Sequence, residues 1–142
     1  MAYLADIRAG IAAAIKAAHP QSTCTGYLLE SPVSPAFEVE FAGINYDRSM
    51  NRGLDEWRFT IRGLASSTVL DIGAQQKLDN WLASTGPESI KAALEDDKTL
   101  GGTVGNAWVE RVGPVRQFEP ISSPGTKYYG AEWVLVCLAS GD

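Results

Sequence analysis

Few side chains in this sequence could carry out acid–base, nucleophilic or metal chemistry. The chain has one histidine, His19, and two cysteines, Cys24 and Cys137, so a catalytic triad would have to use His19. His19 precedes Pro20 at the end of a predicted helix, where an imidazole interacts favourably with the last carbonyl groups. Cys137 lies in an apolar stretch and is expected to be a small buried residue of a strand. The sequence therefore predicts that the protein is not an enzyme.

Two other stretches have compositions that ligand-binding sites use. The adjacent acids Asp96 and Asp97 diverge by about a hundred degrees on a helix, so they are expected to solvate a helix end rather than bind a metal ion. Gly101 to Gly105 is rich in glycine but lacks the Gly-Lys-Ser/Thr of a phosphate-binding loop and leads into a predicted strand. We interpret it as a tight turn from helix to strand. No metal and no other cofactor is predicted.

The composition suits one domain that spans residues 1–142. Apolar residues make up 45% of the sequence and charged residues 20%, which is ordinary for a chain that buries a hydrophobic core. The net charge is −5 and Lys and Arg do not cluster, so tight binding to a nucleic-acid backbone is disfavoured. Asp6, Arg8 and Lys16 interrupt the apolar N-terminal stretch, which argues against a membrane span or a signal peptide. We expect a cytosolic protein with no membrane partner.

The clearest structural pattern is the alternation of Glu56 to Gly63, in which apolar and polar side chains point to opposite faces of a strand. Phe37 to Phe41 alternates in the same way, so antiparallel pairing places aromatic beside aromatic and Glu opposite Arg. Ala131 to Ala139 is apolar on both faces and is predicted to be central in the sheet. Shorter strands are predicted at Tyr27 to Glu30 and around Trp108.

Helices are predicted where apolar residues recur every three or four positions. The first helix covers residues 3–18, and its small-residue side either admits a neighbouring subunit or reflects the high helix propensity of alanine. A second helix follows a capping box at Thr68 and Asp71, and Gly86 and Pro87 end it and begin a third. The predicted fold class is α+β, an antiparallel or mixed β-sheet with the N-terminal helix and the central helix pair packed on one face. The residues expected to share a core are Trp57, Phe59, Ile61, Leu78, Trp81 and Trp133.

Two connections are longer than this fold requires. Ala42 to Asp55 joins the two paired strands, although hairpin loops usually have two to five residues. Gly113 to Gly130 is interpreted as an extended arm or flap. Each is either a contact surface or a solvated loop.

Several fold-forming stretches carry a family resemblance. They are Ser89 to Gly102 followed by Val104 and a strand at Trp108, Asn45 to Met50 followed by Arg52 to Asp55, Leu78 to Leu82, and Tyr129 to Trp133. These stretches resemble the tail terminator proteins of long-tailed (siphovirus-type) bacteriophages, and the resemblance extends over nearly the whole chain. The resemblance implies one tail-terminator-like domain and a structural role without catalysis.

The same resemblance implies the location and the partners. Six copies would form a homohexameric ring at the neck of the virion, assembled in the host cytoplasm. The ring would cap the tail tube, end its polymerisation and provide the docking face for the head. The partners would be other copies of the chain, the major tail tube protein and a head-tail stopper or connector protein. Genomic DNA would pass through the lumen without specific binding, since negatively charged subunits repel it.

We expect the two long connections to supply the contacts between subunits or with the tail tube. Both combine cations with aromatic or apolar side chains, as interfaces do. The predicted interface residues are Tyr46, Asp47, Arg48, Met50, Arg52, Arg116, Phe118, Ile121, Lys127 and Tyr128. Two alternatives remain open at this point. One is another neck protein of head-tail joining, stopper or adaptor type, and the other is a small enzyme of unknown activity.

Overall fold

The computed structural model describes residues 4–27, 36–46, 54–66, 72–118 and 128–140, and these contain three helices and five strands in an α+β arrangement. The predicted α+β class with an antiparallel sheet is confirmed. The elements in chain order are α1 (Leu4–Ala18), β1 (Ala36–Asn45), β2 (Leu54–Ser66), α2 (Ile72–Leu82), α3 (Ile90–Asp96), β3 (Asn106–Val112), β4 (Arg116–Phe118) and β5 (Tyr128–Ser140).

The strands form one sheet in the order β1-β2-β5-β3, and every strand pair in it is antiparallel. The short strand β4 also pairs with β5, beyond the end of β3. The predicted pairing of the two alternating segments is confirmed, since Phe41 lies opposite Phe59 and Glu38 lies opposite Arg62. The prediction that β5 is central is also confirmed, because β2 lies along one side of it and β3 along the other.

Strand β1 is longer than predicted, and a β-bulge explains the difference. The ladder between β1 and β2 shifts register between Phe41 and Gly43 and then continues to Asn45. The extra residue returns the next apolar side chain, Ile44, to the face that carries Phe41. The predicted connection from Ala42 to Asp55 was therefore too long, because strand residues occupy both of its ends.

The predicted arm from Gly113 to Gly130 is partly a hairpin. The Gly113 N–H donates to the Glu132 carbonyl, and Arg116 to Phe118 then pair with β5. Since β3 and β4 follow one side of β5 in succession, the three strands form one long interrupted hairpin. Tyr128 to Gly130 belong to β5, and the arm is shorter than predicted at both ends.

The helices agree with the sequence patterns except at two boundaries. Helix α2 ends at Leu82, four residues before Gly86, which was predicted to end it. Helix α1 matches the predicted range, but α3 begins at Ile90 with Ser89 as its N-cap, and the Ser89 hydroxyl accepts from the Ala92 N–H. Pro87 therefore lies before the helix, not in its first turn, since the side-chain cap fixes the start. The predicted capping box at Thr68 and Asp71 and the strand residues 28–30 lie outside the described residues. Among the described residues, no helix combines the length and apolarity that crossing a bilayer requires.

One face of the sheet and all three helices share a hydrophobic cluster. In β1 and β2 the strand residues of that face alternate mainly with polar residues, whereas β5 is apolar on both faces, and each helix contributes buried side chains at helical spacing. The cluster includes every residue of the predicted core: Trp57, Phe59, Ile61, Leu78, Trp81 and Trp133. This prediction is confirmed.

Truncating this cluster should lower stability strongly. Phe59 and Trp81 are 0% and 2% exposed, so Phe59→Ala or Trp81→Ala should reduce the free energy of unfolding by about 3 to 5 kcal/mol. Thr60→Ala, on the opposite face of β2, is the matched control and should change it by less than about 1 kcal/mol. Denaturant unfolding measures all three, and an unchanged midpoint for both core variants would contradict the assignment of this face.

Candidate functional site

The two long connections lie at opposite ends of the sheet. The loop after β1 ends where β2 begins, and Leu54 of β2 pairs with Ser140 at the end of β5. The hairpin of β4 and β5 closes at the other end, where Phe118 pairs with Tyr128. The twelve steps along β5 separate these ends by about 35 to 40 Å, at about 3.3 Å per residue. The described ends of the two connections therefore lie far apart on the sheet.

The structure describes only some of the predicted interface residues. Tyr46 directly follows β1 and its side chain is 70% exposed, as a contact residue requires. Tyr128 is only 8% exposed and packs in a small cluster with Ala36 and Leu64, so its ring already contributes to the fold. Arg116 and Phe118 lie in β4, where their backbones pair with β5. Asp47, Arg48, Met50, Arg52, Ile121 and Lys127 lie outside the described residues.

A network of charges occupies the sheet face opposite the main hydrophobic cluster, and Arg62 is at its centre. The guanidinium donates to Glu132 at 2.7 Å, Glu38 at 3.2 Å and Glu40 at 3.4 Å. Burial of Arg62 would lower its pKa, but its hydrogen bonds to Glu132 and Glu38 raise the pKa above its ordinary value. Arg62 therefore stays charged and links the side chains of three strands.

A second charged group lies further along the same face. Arg58 of β2 donates to Glu56 at 2.9 Å and to Glu110 of β3 at 2.8 Å. Trp108 and Arg58 both lie opposite Val136, which is only 1% exposed. The contacts of Arg62 with Glu38 and Glu40 confirm the predicted pairing of Glu with Arg between β1 and β2. The ion pairs with Glu110 of β3 and Glu132 of β5 were not predicted.

Breaking the Arg62 network should be costly. Arg62→Gln removes the guanidinium that donates to the nearly buried Glu38, 3% exposed, and breaking such a pair should lower the free energy of unfolding by about 3 kcal/mol. Glu40→Gln is the matched control, since the Glu40 side chain is 50% exposed and surface pairs contribute about 0 to 1 kcal/mol. Equal losses in the two variants, measured by chemical denaturation, would show that burial does not set the strength of this network.

The two cysteines, which are candidate nucleophiles and metal ligands, are buried inside the fold. Cys24 and Cys137 are free and buried, and burial raises the pKa of Cys24 and raises that of Cys137 to about 12. Both thiols are therefore protonated and unreactive at neutral pH. Within the described part of the chain, no group of His, Cys, Asp and Glu side chains could hold a metal ion.

The backbone N–H groups of the glycine-rich turn form hydrogen bonds within the turn itself. Gly101 donates to the Asp97 carboxylate at 3.1 Å, and the N–H groups of Gly102, Thr103 and Val104 reach the Thr99 carbonyl. A phosphate cradle needs such donors to be free. Leu100, Gly101 and Gly102 all have positive φ, so the predicted tight turn is confirmed. Hydrogen bonds from the Thr99 hydroxyl, and from the Thr99 and Gly101 N–H groups, lower the pKa of Asp97.

Part of the small-residue side of helix α1 packs against the glycine-rich turn of the same chain. A Cβ on Gly10 would lie 2.4 Å from the Leu100 carbonyl oxygen, so only glycine lets the turn approach the helix this closely. An open cleft of about 390 Å³ lies beside this contact, lined by Asp6, Ala9, Gly10 and residues 100–103. Gly10 therefore packs against the chain's own turn. The two interpretations of the small-residue side, a neighbouring subunit or the helix propensity of alanine, stay predictions.

His19 contacts another part of the chain rather than only its own helix end. Its Nε2 lies 3.0 Å from the Glu88 carbonyl, and its ring packs against Phe37 and Trp81 with centroids 5.3 and 5.7 Å away. Burial lowers the pKa of His19, against an opposing effect of Glu88. The imidazole is therefore neutral at pH 7 and joins α1 to the segment before α3.

Acid should destabilise the protein through His19 before it does so through carboxylates. Because the folded-state pKa of His19 is lowered, the unfolded chain binds the proton more readily, so stability is complete above about pH 6.5 and falls as the pH drops through the folded-state value. His19→Asn should remove this decline between about pH 6.5 and 5. Thermal unfolding across that range tests it, and an identical decline in the variant would assign the effect to other groups.

Neither a protein-family model nor a curated protein matches this chain.

Proposed function

We propose that this protein is a structural component of the neck of a long-tailed phage, a tail terminator whose ring caps the tail tube and receives the head. The observation that supports this proposal best is the separation of the two long connections at opposite ends of one sheet. A ring subunit needs two different, complementary surfaces, because head-to-tail contacts are heterologous. A terminator also has to meet the tube on one side and the head on the other.

The internal use of the reactive groups is consistent with a role in assembly. The only histidine packs against aromatic rings, both thiols are buried, and the glycine-rich turn binds its own carboxylate and carbonyl. The described surface offers charged side chains and exposed aromatic side chains such as Tyr46 for contacts with partners. In this proposal, DNA passes through the ring without specific binding, and the tube protein and a stopper or connector protein are the partners.

Charge reversal in each connection tests the proposal. Arg48→Glu and Arg116→Glu should leave the free energy of unfolding within about 0.5 kcal/mol of the wild-type value, as expected if the two side chains contribute to contacts between subunits and not to the fold. Each should nevertheless weaken ring formation or tube binding, because rim charges steer association. Lys77→Glu, an exposed residue of α2, is the control and should change neither.

The measurement is virion assembly in a complementation assay, together with negative-stain images of the protein alone and with tail tubes. Overlong tails and headless particles are expected for the two loop variants. Normal infectious particles from both variants would reject these connections as the interface. Normal tails combined with unfilled or leaking heads would instead favour a stopper or adaptor, and a protein that leaves tubes uncapped would contradict the terminator role.

A further inference from the structure

The outer edge of β3 is closed by side chains. Strand β3 has β5 on one side and ends the strand order of the sheet. Two of its backbone donors turn away from β5, because the Ala107 N–H donates to Asn106 Oδ1 at 3.0 Å and the Val109 N–H donates to Glu95 Oε2 at 2.9 Å. Unpaired donors on an outer strand are a template for strand addition. Here both donors are already bound.

The Glu95 carboxylate is fixed in position for this role. It extends from α3, and Lys91, one helical turn earlier, forms an ion pair with the same oxygen that receives the Val109 N–H. Burial of Glu95 would raise its pKa, but the hydrogen bonds from Lys91 and Val109 hold the pKa below its ordinary value. An ionised carboxylate is a stronger acceptor than a neutral one.

The other outer strand is covered differently. On β1, the Phe37 and Val39 N–H groups donate to the Thr23 and Tyr27 carbonyls, and Arg8 donates to the Val39 carbonyl. Several backbone groups and a guanidinium therefore cover this edge. At Val109, a single side chain provides the cover, so one substitution can remove it.

We propose that the Glu95 carboxylate closes the edge of β3 and that, once it is displaced, this edge pairs with the same edge of a second copy of this chain. The second copy is the fitting partner because antiparallel pairing of two identical edges is self-complementary. Next to Val109 on this strand lie the exposed Glu110, which also binds Arg58 of its own chain, and the exposed Arg111, and pairing would bring these opposite charges of the two copies together. This inference does not depend on the proposed function.

Removing the acceptor tests the proposal. Glu95→Ala should increase the exchange rate of the Val109 amide by about tenfold or more, since a charge-assisted hydrogen bond is lost. Sedimentation at equal protein concentration should then show larger species than in the wild type. Glu95→Gln keeps an acceptor oxygen, and Asp96→Ala changes an exposed acid of the same helix. Both controls should sediment as the wild type does.

A double variant distinguishes pairing of the β3 edges from non-specific association. Val109→Pro removes the N–H that points away from β5, a position where proline is tolerated in outer strands. In the Glu95→Ala background it should restore the wild-type sedimentation. Persistent association in the folded double variant, or wild-type sedimentation of Glu95→Ala itself, would overturn the proposal.

A milder variant covers the case in which Glu95→Ala does not fold. Lys91→Met keeps the carboxylate but removes the cation that holds it, so the Val109 amide should exchange faster by a smaller factor. In folded Lys91→Met, faster exchange of that amide without larger species in sedimentation would also overturn the proposal, because the edge would then be open and still unpaired.

Discussion

The fold depends on keeping one sheet face apolar along its whole length, because that face and all three helices share the main core. Side chains alternate between faces along a strand, so any break in the sequence alternation would turn apolar residues outward. Register shifts at Phe41/Gly43 and Val109/Arg111 prevent this. Val109 and Val112 are three residues apart, yet they lie opposite Leu135 and Trp133 of the core face. The bulges therefore extend the core beyond the regular stretches.

The opposite face follows from the same constraint. Once Phe59 and Ile61 are fixed on the core face, Arg62 must lie on the other, between Glu38 of β1 and Glu132 of β5. Arg62 then joins three strands through charge-assisted hydrogen bonds. Replacing a nearly buried network of this kind with apolar residues is often neutral for stability, so its clearest contribution is to strand register. A slip of one residue would place Arg62 in the hydrophobic cluster.

Sequence alternation predicted the centres of the strands, the core residues and the charge pairing between β1 and β2, because these depend on period alone. It did not predict the strand ends, since a bulge interrupts the period in the same way as a loop does. The start of α3 was wrong because Pro87 and Ser89 both favour helix beginnings and only the side-chain bond to Ala92 decides between them. The hydrogen bond between Glu95 and Val109 joins residues fourteen positions apart, and no local sequence pattern predicts such a contact.

The internal roles of the polar groups limit where the described part of the chain can meet a partner. Asp97 and Thr99 occupy the donors of the glycine-rich turn, and Glu95 occupies an outer donor of β3. Strand β5 separates the two sheet ends at a fixed distance, because both of its sides are paired and its core face is buried. Surfaces at those ends would keep their relative position in every copy. A closed ring requires this constancy, since a small variation in the angle between subunits turns a ring into an open helix.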